Sequence, residues 1–109
     1  TFIENNREAL KVLYENLKDF NLPSTSVHEQ DALRFQALQV FDLIFLDPPY
    51  HQNLVLPILN QLFRQSCFSE KAVIVIEMGK NETLLLPPFL TLIIERTSGA
   101  SNILFCKIT

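Results

Sequence analysis

A chain of 109 residues with 48% hydrophobic and 19% charged residues can bury a core and is too apolar to stay disordered. Its net charge of −3 and scattered basic residues argue against a nonspecific clamp on nucleic-acid phosphates. No apolar run is long enough to span a membrane, and no signal peptide is recognisable. Cys67 and Cys106 lack metal-ligand spacing, so we predict reduced core thiols in a cytoplasmic protein, with no disulfide and no metal site.

Residues 1–4 predict a short strand that ends at Glu4 and leads into a helix. Asn5 is the candidate N-cap, with Glu8 three residues later in a capping-box arrangement. The apolar residues of the helix recur at helical spacing: Leu10, Leu13, Leu17 and Phe20. In a dinucleotide-type fold, a carboxylate at the end of this strand accepts hydrogen bonds from vicinal ribose hydroxyls. By position alone, Glu4 could equally stabilise the helix N-terminus through its dipole.

Residues 24–29 predict the next strand, centred on Val27, and Asp31 follows it. Asp31 precedes a short helical segment at residues 32–35. An aspartate in this position is a candidate ligand-binding residue, and it is equally suited to a plain helix cap.

The apolar run from Leu43 to Leu46 ends abruptly in Asp47-Pro48-Pro49-Tyr50. A short run of large apolar residues with turn chemistry after it predicts a central strand buried on both faces of a parallel sheet. Prolines cannot continue the strand, because each lacks the N–H that the neighbouring strand needs. We therefore predict that residues 47–50 form a rigid loop at the carboxyl end of this strand, where open α/β sheets bind ligands.

This loop is rich in hydrogen-bond acceptors and poor in donors. Asp47 contributes carboxylate oxygens, while Pro48 and Pro49 contribute carbonyls and no N–H. One NH₂ group could donate one hydrogen to Asp47 and the other to the Pro48 carbonyl, and Tyr50 could stack on a planar base. The alternative is a turn that only ends the strand, with a tyrosine that only packs.

The rest of the chain continues the alternation of helix and strand. A helix is expected to begin near Asn53 or Leu54, so that Pro57 falls in its first turn. Residues 72–76 predict a buried strand, and residues 89–96 and 102–107 predict an antiparallel hairpin at one edge of the sheet. The order of elements predicts an α/β fold.

Asp47-Pro48-Pro49-Tyr50 matches the (Asp/Asn)-Pro-Pro-(Tyr/Phe) motif of S-adenosylmethionine-dependent amino-methyltransferases. The whole chain resembles the RsmD family, which methylates the exocyclic N2 of a guanine in small-subunit (16S) ribosomal RNA. Residues 1–4, 72–77 and 99–109 resemble the family's second motif, the strand after its catalytic loop and its last strand. The resemblance implies a Rossmann-like class I methyltransferase sheet, mostly parallel, with a C-terminal antiparallel hairpin.

The resemblance also implies roles for particular residues. The catalytic set is Asp47, Pro48, Pro49 and Tyr50, which would hold the acceptor amine and its base. The residues for S-adenosyl-L-methionine are Glu4 for the ribose hydroxyls, Asp31 for the adenine amino group and the Ala32 N–H for a ring nitrogen. The implied partner is ribosomal RNA or the small ribosomal subunit.

The chain departs from the family pattern at its start. The family places a first strand and a Gly-rich cofactor loop before this point, whereas this chain holds only Gly79 and Gly99. We therefore interpret residues 1–109 as a single methyltransferase domain that is N-terminally incomplete. Without the first strand, two apolar sheet edges would be exposed, so we expect dimerisation or low stability, and an inactive chain that binds the cofactor weakly or not at all.

Two other interpretations are compatible with the sequence. The same loop type serves amino-methyltransferases that act on adenine or cytosine in DNA or on a protein glutamine. The lack of a Gly-rich loop would also suit a noncatalytic methyltransferase fragment that serves only for interaction.

Overall fold

A computed structural model describes residues 1–20 and 23–109. They form two compact units, Thr1–Gln36 and Ala37–Thr109, and the strands form two sheets. The interpretation of residues 1–109 as a single domain stays a prediction. None of the helices within the described residues is both long and apolar enough to cross a membrane.

The first unit contains a two-stranded parallel sheet and one amphipathic helix. Its elements are β1 (Phe2–Glu4), α1 (Arg7–Lys18), β2 (Val27–Glu29) and a 3₁₀ helix (Ala32–Arg34). The two strands pair in register, with Glu4 opposite Glu29. Both predicted strands, the helix and the short helical segment are therefore present, and the carboxyl ends of β1 and β2 lie at the same edge of the sheet.

The predicted cap of α1 is wrong by one residue. Asn6, not Asn5, has the extended backbone of an N-cap, and its Oδ1 accepts a hydrogen bond from the Ala9 N–H at 2.9 Å. Asn5 lies before this cap, and the Glu4 carboxylate accepts the N–H groups of both Asn5 and Asn6. Glu8 is consequently not at the capping-box position, although its charge in the first turn still suits the helix dipole.

The second unit is a four-stranded sheet with a helix on one face. Its elements are β3 (Phe41–Leu46), α2 (Val55–Arg64), β4 (Phe68–Gly79), β5 (Leu90–Ser98) and β6 (Ser101–Ile108). The strand order is β3-β4-β6-β5, with β3 parallel to β4 and β6 antiparallel to both of its neighbours. As a result, β3, β4 and β5 run in the same direction.

The predicted C-terminal hairpin is confirmed, but it is not simply added at the edge. Its second strand, β6, lies inside the sheet between β4 and β5. Gly99 has a φ of 58° and is the first residue of the two-residue turn between Ser98 and Ser101, a position that favours glycine. The insertion of β6 brings the start of that strand, at Ser101, beside the end of β4 at Gly79.

The hydrophobic core lies between α2 and one face of the sheet. Alternate residues of β4 point towards this face, among them Ile74 and Ile76, which are both fully buried. Leu59 of α2 is also fully buried and belongs to the same cluster. The remaining buried members come from β4, β5 and β6: Ala72, Met78, Leu90, Leu104 and Cys106.

The prediction that β3 is a central strand buried on both faces is wrong for the described structure. Ile44 and Leu46 pack against the core, but Leu43 and Phe45 are 67% and 59% exposed. In addition, β3 is an edge strand of its sheet. A continuous apolar run shows that both faces of a strand are apolar, but it does not specify that another element covers each face.

Both cysteines are buried free thiols, as predicted, with exposures of 2% for Cys67 and 0% for Cys106. Burial raises the pKa of each thiol, because the thiolate would lose its hydration. We therefore expect a thiol reagent such as DTNB to label neither cysteine in the native chain at pH 8, and to label both after denaturation. Rapid stoichiometric labelling of either cysteine under native conditions would contradict this placement.

Candidate functional site

The predicted acceptor loop, residues 47–50, directly follows β3, and the segment that joins it to α2 has an unusual backbone. His51 and Asn53 both have positive φ, at 60° and 52°. A left-handed conformation in a residue other than glycine costs about 1–3 kcal/mol and persists only where the surroundings impose it. The loop then enters α2 at Val55, so Pro57 falls in the first helical turn, as predicted. The shape of this loop must therefore be maintained by contacts with the rest of the unit.

Tyr50 makes one such contact through its hydroxyl group. The Tyr50 Oη lies within hydrogen-bond distance of Ser101 Oγ, at 2.6 Å, and of Glu77 Oε1, at 3.3 Å. The Ser101 hydroxyl also donates to Glu77 Oε1, at 3.0 Å. The ring itself is 38% exposed. The phenol is thus anchored by the ends of β4 and β6, while part of the ring remains accessible to solvent.

Glu82 makes the second contact, and nothing in the sequence indicates it. Its Oε1 accepts the His51 N–H at 2.6 Å, and its Oε2 accepts the Gly79 N–H at 2.5 Å. These bonds lower the pKa of the Glu82 carboxyl, with the Gly79 bond contributing most. We call these two hydrogen bonds the Glu82 bridge. Because the pKa is depressed, the bridge is fully formed at pH values above the usual pKa range of glutamate, and it is lost as the pH falls through the lowered pKa.

A cavity of about 330 Å³ lies beside the loop. Its walls are mainly apolar and include Pro48 and Pro49 of the predicted motif, Leu54 at the start of α2, and Leu84 and Leu85. Two acidic residues, Glu77 and Glu82, also line it. An apolar cavity with a few polar groups is typical of a small-molecule or base-binding site.

The predicted cofactor residues lie together in the first unit. The Gln30 N–H donates to the Glu4 carbonyl at 3.1 Å, which joins the end of β1 to the segment that carries Asp31. Glu4 Oε2 accepts from the N–H groups of Asn5 and Asn6 at 3.0 and 3.1 Å.

Asp31 Oδ1 accepts from the Leu33 N–H at 2.9 Å, so Asp31 does cap the short helix that begins at Ala32. Among the described residues, the hydrogen bonds of Glu4 and Asp31 engage one oxygen of each carboxylate. Two carboxylates at one sheet edge fit the hydroxyl and amino donors of an adenosyl group.

Within residues 1–20 and 23–109, no group of three or more His, Cys, Asp or Glu side chains is placed to hold a metal ion.

The comparisons with known proteins place this chain in the class of methyltransferases, and the α/β fold is consistent with them. One solved structure, from Haemophilus influenzae and assigned as a methylase by its description, superposes with a TM-score of 0.80 at 27% identity. The match covers 98% of this chain and 70% of that one. Residues 1–107 match the family described as Conserved hypothetical protein 95, and the chain belongs to it, the RsmD family of methyltransferases.

Two curated relatives carry the name Ribosomal RNA small subunit methyltransferase D. The Haemophilus influenzae relative is 32% identical over 105 residues, which is 91% of this chain and 54% of that protein. The relative from Buchnera aphidicola is 28% identical over 95 residues, which is 84% of this chain and 50% of that protein. This chain therefore spans about half the length of the curated relatives that it matches.

Proposed function

We propose that the protein containing this chain transfers a methyl group from S-adenosyl-L-methionine to the exocyclic N2 amine of a guanine in small-subunit (16S) ribosomal RNA in the cytoplasm. The observation that carries the proposal is the acceptor-rich loop, Asp47 to Tyr50, at the carboxyl end of β3. The names of the two curated relatives support ribosomal RNA of the small subunit as the substrate.

The loop holds the acceptor amine through two oxygen atoms. The two N2 hydrogens are donated to the Asp47 carboxylate and the Pro48 carbonyl. With both hydrogens engaged, the nitrogen becomes more pyramidal and its lone pair points away from the loop. Fixed φ angles at both prolines keep these acceptors in place before the substrate arrives. Such positioning of reacting groups can contribute up to about 7–11 kcal/mol to catalysis.

Tyr50 provides the surface on which the target base stacks. A guanine must leave its base stack before its amine can be reached, and an aromatic face compensates part of the lost stacking. The proposal is supported by the partial exposure of the ring and by the anchoring of its hydroxyl on Ser101 and Glu77. An anchored ring loses little side-chain entropy when the base binds.

Glu4, Asp31 and the Ala32 N–H are proposed to bind the adenosyl part of the cofactor. Glu4 would accept from the ribose hydroxyls and Asp31 from the adenine amino group, while the Ala32 N–H would donate to a ring nitrogen. When bound, the cofactor supplies an electrophilic sulfonium methyl group. Asp47 would accept the proton that the N2 amine loses as it receives this methyl group.

A methylation assay tests the proposal directly. With tritiated cofactor, we expect the full-length protein to label 16S ribosomal RNA or small ribosomal subunits at a guanine N2, and to label neither DNA nor protein. Label in DNA adenine or cytosine, or in a protein glutamine, would instead support the corresponding alternative substrate. Calorimetry with S-adenosyl-L-methionine on residues 1–109 tests the noncatalytic alternative, and we expect weak or no binding to this chain. Size exclusion with light scattering tests its oligomeric state, and we expect self-association.

A further inference from the structure

The side chain of Glu82 connects the segment just after the acceptor loop to the end of β4. One carboxylate oxygen accepts the His51 N–H at 2.6 Å and the other accepts the Gly79 N–H at 2.5 Å. His51 directly follows Tyr50 and is one of the two left-handed residues between the loop and α2. The Glu82 carboxylate therefore accepts a hydrogen bond from a residue whose left-handed backbone must be held by contacts outside its own segment.

Glu82 is itself attached to the sheet. Its N–H donates to the Gly79 carbonyl at 3.0 Å, and the next residue after Gly79, Lys80, donates its N–H to the Ala100 carbonyl at 2.8 Å. The turn that carries Glu82 is thus hydrogen-bonded to β4 and to the β5–β6 turn. A carboxylate on this turn has a defined position from which to hold the acceptor loop.

Gly79 provides the space that the carboxylate occupies. A Cβ atom at residue 79 would lie 2.9 Å from Glu82 Oε2, which is closer than a real contact allows. The obstructing atom is the end of a flexible side chain, so the backbone could keep its conformation while the carboxylate moved away. Glycine is therefore needed at this position to leave room for the Glu82 carboxylate, whereas the strand itself could hold a residue with a side chain.

We propose that Glu82 is a positioning residue for methyl transfer, because its carboxylate holds the Asp47–Tyr50 loop in the shape that presents the acceptor oxygens. This inference rests on the proposed function and adds to it a residue outside the loop. The arrangement requires a carboxylate in particular, since both bonded groups are N–H donors. An amide at position 82 would offer one acceptor oxygen and turn an NH₂ group towards the other donor.

The first experiment measures the bridge itself by amide hydrogen exchange in the full-length protein. We compare the wild type with Glu82→Gln and Glu82→Ala, and use Glu70→Gln, a change at an exposed residue of β4, as the matched control. Protection of the His51 and Gly79 amides is expected to fall by about tenfold or more in both Glu82 variants, and to stay unchanged in the control. Unchanged His51 protection in both Glu82 variants would overturn the bridge.

The second experiment measures methyl transfer to ribosomal RNA. We expect kcat to fall on the order of 10- to 100-fold in Glu82→Gln and Glu82→Ala, with the KM for the cofactor within about twofold of the wild type. Glu82→Asp should recover part of the loss, because it keeps the carboxylate on a shorter side chain. Loss of protection at His51 with unchanged kcat would overturn the positioning role.

A double-mutant cycle with Gly79→Ala tests whether the losses come from the Glu82 hydrogen bonds or from a general loss of stability. Gly79→Ala alone is expected to reduce His51 protection and kcat as Glu82→Ala does, and to add no further loss in the Glu82→Ala background. Additive losses would show that the two residues act independently and would contradict the proposal. If the wild type failed to methylate RNA, the proposed function would fall, whereas hydrogen exchange in the same variants would still decide whether Glu82 holds the loop.

Discussion

Replacing Asp47 with alanine in the full-length protein should abolish methylation of ribosomal RNA while leaving S-adenosyl-L-methionine binding intact. The change removes one of the two groups proposed to hold the acceptor amine, and this carboxylate is also the group proposed to accept the proton of the amine. Loss of a proton-accepting side chain alone costs about 10²–10⁴-fold in rate, and the loss of positioning adds to it. Single-turnover methylation with tritiated cofactor measures the rate, and calorimetry measures cofactor binding.

Two further variants make the Asp47 experiment more specific. Asp47→Asn keeps one acceptor oxygen, and asparagine occurs at this position of the motif in amino-methyltransferases, so its loss should be smaller than that of alanine. Asp42→Ala removes an exposed aspartate of β3, the strand that precedes Asp47, and should leave the rate unchanged. Full turnover in Asp47→Ala, or an equal loss in Asp42→Ala, would contradict the role assigned to Asp47.

Leu59→Ala should strongly destabilise the second unit. Leu59 is fully buried in the cluster between α2 and the sheet. Truncation of a buried leucine to alanine lowers the free energy of unfolding by about 2–5 kcal/mol, because apolar contacts are lost and a cavity remains. Urea unfolding monitored by far-UV circular dichroism measures the change.

Leu56→Ala is the matched control for Leu59→Ala. Leu56 lies in the same helix and is 37% exposed, so the same truncation removes fewer buried contacts. We expect this variant to lose less than about half of what Leu59→Ala loses. Equal losses at both positions would contradict the packing of α2 through its Leu59 face.

The elements closest to the proposed chemistry were predictable because their signals are local. The run of apolar residues at the end of β3 and the two prolines after it specify where a strand must stop. Pro57 similarly limits where α2 can begin, since proline is tolerated only in the first turn of a helix. Steric restriction and the missing N–H act within a few residues, so no tertiary information is needed to use them.

The errors occurred where two local solutions were nearly equivalent or where burial depended on distant elements. Asn5 and Asn6 are both good N-cap residues, and the local sequence does not distinguish them; in the structure the Asn6 side chain accepts the Ala9 N–H. The apolar character of Leu43 and Phe45 was visible, but their exposure depends on what covers that face of the sheet.

The sequence by itself determined the α/β alternation, the end of β3 and the acceptor chemistry of residues 47–50, because these follow from local sterics and from the atoms that each residue carries. Only the tertiary structure decided which residues hold that loop. Ser101 is 51 positions from Tyr50 and reaches it because β6 inserts antiparallel beside β4. Glu82 reaches His51 because a turn at Gly79 brings it back to the loop. Such contacts depend on strand order and turn geometry, which no local pattern in the chain encodes.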